Sequence, residues 1–151
     1  MSGEQGFVIP EWLVGITLIL MPMIVLVASI APWYQRANMA TLIAQEAART
    51  MVLAEDWEAG EADARQVALE IAANHGLGAE QWCPAPGPGC VAITFGGTTP
   101  GLLQRGTEIS VSVEVPIPGV VVPGFGSAAE FQWTQSHVER VDDYRSIVTE
   151  P

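Results

Sequence analysis

Hydrophobic positions in this chain fall into three regimes, and each predicts a different element. From Leu13 to Ala31 the chain is apolar without interruption by charge, and Trp12 and Trp33 bound the stretch. A helix needs about 20 such residues to cross the hydrocarbon core, and aromatic side chains mark the ends of such spans. The pattern therefore predicts a single membrane-crossing helix over 7–33. Pro22 sits at mid-span, where a missing N–H predicts a kink or a released carbonyl, and Pro32 lies at the far interface. From Gln35 to about Trp57 the apolar positions recur three and four apart, at Met39, Leu42, Ile43, Ala47, Leu53 and Trp57, which continues the helix beyond the membrane. Small residues at Ala37, Ala40, Ala44 and Ala48 permit close approach of a neighbouring helix, or serve only as good helix formers.

A second helix is expected from about Glu61 to His75, with Glu61 and Asp63 in its first turn, an apolar face at Val67 and Ile71, and Gly76 at its C-terminal cap. The period then falls to two. Val91–Phe95 alternates, Glu108–Val115 alternates without a break, and a third strand is expected from about Glu130 to Arg140. Gly96-Gly97 and the segment from Pro116 to Gly126 read as turns between them. The expected fold class is α+β: a long N-terminal transmembrane and amphipathic helix, a second helix, and a small antiparallel β-sheet with one apolar face against the helices.

Charge narrows the partners. The chain has 151 residues and a formal net charge of −11. Glu4 and Glu11 precede Trp12, leaving fifteen acidic residues against six arginines after it, a charge of −9 on residues 34–151. That balance argues against nucleic acid and anionic headgroups as partners. Cys83 and Cys90 enclose Pro84-Ala85-Pro86-Gly87-Pro88-Gly89, a loop short enough to bring the thiols within bridging distance; the alternative is two unrelated thiols. A disulfide points to an oxidising compartment and places residues 34–151 outside the cytoplasm. Arg36 and Arg49, just after the span, bias the orientation the other way. Cys83, Cys90, His75 and His137 have the residue types of a metal site but no recognised ligand spacing.

Nothing in the chain has the pattern of catalysis. It contains no Gly-x-Ser-x-Gly, no phosphate-binding glycine loop, no His-Glu-x-x-His and no dinucleotide fingerprint, and Asp142-Asp143 reads as solvated surface. No enzyme activity, cofactor or small-molecule substrate is expected. The one chemically unusual position is Glu11, a carboxylate at the mouth of the apolar run. An isolated Glu there neutralises or finds a cation. It is otherwise an interfacial carboxylate favoured by the dipole at a helix N-terminus.

Gly6-Phe7 followed by Glu11-Trp12, a single apolar segment containing Met21-Pro22, the run Ala44-Gln45-Glu46-Ala47-Ala48-Arg49 and the tail Glu139-Arg140-Val141-Asp142-Asp143-Tyr144-Arg145-Ser146 together resemble the TadE-like family. Its members are minor pilins or pseudopilins of tight-adherence (Flp-type) type IV pili. The resemblance implies a leader over 1–6, removed between Gly6 and Phe7 by a prepilin peptidase, with methylation of the new amino group. It implies that Glu11, then the fifth residue, pairs with the Phe7 ammonium of its own or a neighbouring subunit. It further implies an extracytoplasmic domain over 34–151, with other pilin or pseudopilin subunits, the prepilin peptidase and the membrane assembly platform as partners. Two alternatives remain. One is an uncleaved single-pass anchor carrying an extracytoplasmic interaction domain. The other is a secretory signal peptide cut near Ala28-Ser29-Ile30-Ala31, although the leader has no Lys or Arg and the apolar core is long for one.

Overall fold

The apolar run and the amphipathic stretch that follows it form one helix. The computed structural model describes residues 8–122 and 126–144, except for the side chains of 8–11, 121–122 and 127–129. Helix α1 (Val8–Leu53) is 46 residues long, about 70 Å at 1.5 Å per residue. It runs through Pro22 and Pro32, and its hydroxyls turn inward onto its own carbonyls: Thr17 Oγ1 donates to Leu13 O at 2.7 Å and Ser29 Oγ to Val25 O at 2.8 Å. A hydroxyl so paired is tolerable in an apolar setting.

The first helix ends earlier than its periodicity predicts, and the second begins earlier. Trp57 was expected to close α1, but it opens α2 (Trp57–Asn74). The cause is Asp56, whose Oδ1 accepts the Ala59 N–H at 2.8 Å from an extended backbone. An aspartate at that position satisfies one of the free donors of a helix start, which makes residues 54–56 a break. The other end matches the expected cap. Gly76 takes a left-handed φ of +75°, the Leu77 N–H donates to Ala72 O at 2.9 Å and the Gly76 N–H to Ala73 O at 3.0 Å. Leu77 then buries its side chain, completing the helix-terminating motif.

The sheet is a three-stranded antiparallel meander, β1 (Ala92–Gly97), β2 (Glu108–Val122) and β3 (Gly126–Arg140), in that spatial order. All three strands exceed their expected lengths. Gly96-Gly97 is strand, not turn: a Cβ on Gly97 would lie 2.4 Å from Glu108 O, so glycine is what lets the two backbones meet. β2 continues past Pro116 and Pro118 because of which edge their nitrogens face. The Glu108 carbonyl accepts from Thr98 N–H on the β1 side, and the unbroken register gives every even position of β2 the same side. β1 ends at Ala92, opposite Glu114, so Pro116 and Pro118 turn their missing donors to an edge with no strand among the described residues. Proline is tolerated there.

The odd positions of β2, Ile109, Val111, Val113, Val115 and Ile117, are buried in one core with Met39, Ala40, Ile43, Ala44, Ala47, Ala48 and Met51 of α1 and Ala64, Ala68 and Ala72 of α2. α1 is in contact with α2, β2 and β3 and is the spine of the domain. Residues before Ser29 take no part in this core. Leu18 is 75 % exposed, whereas Met39 is 0 % exposed on the same helix.

Candidate functional site

The part of the molecule with the most distinctive surface is the level at which α1 leaves its apolar half. Trp33 and Tyr34 stand there on the helix. Phe131 and Trp133 stand beside them on β3, opposite Ile117 and Val115 and therefore on the helix-facing side of the sheet. The Trp33 and Phe131 rings meet edge to face, with centroids 6.1 Å apart and planes at 81°. The Trp33 Nε1–H donates to Pro118 O, a carbonyl that faces the strand-free edge of β2. With Ile30, Ala37 and Ile117 these rings line an open apolar groove of about 300 Å³. All four aromatic residues remain more than a third exposed.

A second cavity, of about 610 Å³, is lined by Pro32, Gln35, Arg36, Met39, Asn74, His75, Gly76 and Pro118. Arg36 is half-buried, and its Nη1 has no hydrogen-bond partner among the described residues. Burial lowers the Arg36 pKa from its ordinary value, and the negative charge of Glu130 opposes that. The sequence singled out Arg36 only as an orientation signal. The structure brings it into the electrostatic field of Glu130, the first charged residue of β3.

Cys83 and Cys90 form a disulfide, with Cα atoms 5.6 Å apart. Their loop is tied to the sheet, since Gln132 Nε2 donates to Gly87 O at 2.6 Å and the Cys83 N–H to Val91 O at 2.9 Å. The two histidines are engaged locally and separately: His75 Nδ1 lies 2.9 Å from Ile71 O, and His137 Nε2 lies 3.2 Å from Glu139 Oε2. No group of three or more His, Cys, Asp or Glu arranged to hold a metal occurs among the described residues. Asp142 and Asp143 serve the chain end, where Asp142 Oδ1 accepts the Tyr144 N–H and Asp143 pairs with Arg140 at 3.2 Å.

Of the residues singled out at the N-terminus, Gly6 and Phe7 lie outside the described residues. Glu11 lies within α1, but its side chain lies outside the described ones. Sequence reading missed the pairing of Trp33 with the β2–β3 hairpin. A signal for it exists: no charged residue occurs between Glu114 and Glu130, so the strand pair, like α1, carries an uncharged run. α1 is the one helix among the described residues long and apolar enough to cross a membrane. No protein-family model, curated protein or solved structure matches this chain.

Proposed function

We propose that this chain is a membrane-anchored minor pilin or pseudopilin that takes part in assembling a tight-adherence type IV pilus. The observation that carries the reading is the division of α1, one unbroken helix that is apolar and mostly uncovered from Trp12 to Ile30 and forms the core spine of an α+β domain in its second half. Such a helix serves two settings: a bilayer before assembly, and a bundle of like helices within a filament after it. The Cys83–Cys90 disulfide favours the extracytoplasmic side for the domain, against the pull of Arg36 and Arg49. Processing between Gly6 and Phe7 would free an ammonium for Glu11. Pairing the two avoids leaving one unmatched charge in an apolar surround and fixes the register of neighbouring subunits.

Intact-mass and N-terminal peptide analysis of the protein from its native membrane tests this. A mature chain beginning at Phe7, methylated or not, is expected. Retention of residues 1–6 would replace the proposal with an uncleaved single-pass anchor presenting an interaction domain.

A further inference from the structure

Two uncharged stretches of this molecule, on α1 and on the β2–β3 hairpin, lie side by side. On α1 no charge occurs between Trp12 and Gln35, and the first to follow is Arg36. On the β2–β3 hairpin no charge occurs from Val115 to Ala129, and the first to follow is Glu130, whose field reaches Arg36. Two segments remote in sequence thus lose their charges at a common level.

The hairpin extends past that level, alongside the helix. Pro118 is held by Trp33, and β2 continues four residues further to Val122, about 14 Å at 3.4 Å per residue. One face of α1 is covered in the same region: Ser29 is buried and Val25, Ala28 and Pro32 are half-buried, while Leu26, Val27 and Ile30 are exposed. Val120 on the hairpin is itself 43 % exposed. The aromatic groove opens between helix and hairpin at this boundary, and its tryptophans and tyrosine are the side chains that settle at headgroup level, with an apolar body and a polar tip.

We propose that the β2–β3 hairpin at Val120 inserts into the same leaflet that α1 enters, so that the domain sits on a lipid bilayer through two apolar elements. The inference rests on the reading of α1 as a membrane span. The occupant of the groove is then lipid: the helix fixes the plane of the headgroups, and that plane passes through Trp33, Tyr34, Phe131 and Trp133. A zwitterionic surface suits a domain of net charge −9 better than an anionic one.

Site-directed spin labelling of the full chain in phosphatidylcholine nanodiscs tests the inference. Val120→Cys reports on the hairpin beyond Pro118, Ile24→Cys on the mid-span of α1 and Val138→Cys on the opposite end of the sheet; all three positions are exposed, and the native cysteines are bonded to each other. Circular dichroism checks the fold of each variant. The expected result is that the Val120 label matches the Ile24 label, with frequent oxygen collisions and a loss of collisions with an aqueous nickel chelate relative to Val138. A Val120 label as open to the chelate as Val138, with Ile24 protected, overturns insertion and leaves the span intact. An Ile24 label open to the chelate overturns the membrane reading and the insertion with it. A Val120 label shielded from both reagents and broadened by a neighbouring label shows a second copy on this surface, which also overturns the proposal.

Discussion

Asp56 and Gly97 each decide where an element begins or ends, by opposite means. Asp56 adds an acceptor where α2 has a free donor, so Asp56→Ala should cost about 1 kcal/mol and Asp56→Asn much less, read by chemical denaturation of the full chain in detergent micelles. Gly97 acts by lacking a side chain. The Cβ of Gly97→Ala would press on backbone at Glu108 and Ile109, which cannot rotate aside, so the substitution should cost about 1–3 kcal/mol in the same assay. The two differ in legibility. Asp56 is an N-cap residue type in plain sight, obscured because Leu53 and Trp57 continue the apolar spacing of α1 across it. Gly97 offers no such sign, since a glycine pair between strands reads as a turn until the partner strand's approach is known.

At the scale of elements, the small residues of α1 and α2 set how closely the helices pack. Ala40, Ala44 and Ala48 were open to two readings, a surface for a neighbouring helix or mere helix propensity. They are fully buried in the core of their own domain, with Ala64, Ala68 and Ala72 of α2 in the same cluster. Ala68→Leu should therefore destabilise the domain by about 1–3 kcal/mol through overpacking, visible as a lower midpoint in thermal unfolding. The disulfide closes a loop of eight residues counting both cysteines, so loop-closure entropy assigns it about 2.5 kcal/mol; reduction should lower the same midpoint without dissolving the sheet. Element types followed from period, since 3.6 and 2 are imposed by the helix and the pleat. Boundaries did not, because Pro116 and Pro118 break a central strand but not one whose second edge is vacant. That vacancy depends on where β1 stops, a fact of tertiary structure.

The whole molecule is one helix with a domain assembled on its second half. That much was written in the chain, because the change from uncharged to amphipathic sequence near Trp33 needs no partner to be read. The aromatic level was half legible. Trp33 and Tyr34 announce an interface, whereas Phe131 and Trp133 join them only through the register that sets β3 beside β2. The unbroken passage of α1 through Pro32 into the domain has a mechanical consequence. With no flexible joint between the two halves, a pull or a twist on the apolar end enters the domain undamped, at the helix that holds its core. Each residue inserted into such a shaft turns one end against the other by about 100°. An extra alanine between Ala37 and Asn38 should therefore swing Trp33 away from Pro118, misaligning the two ends while leaving the core beyond Met39 folded.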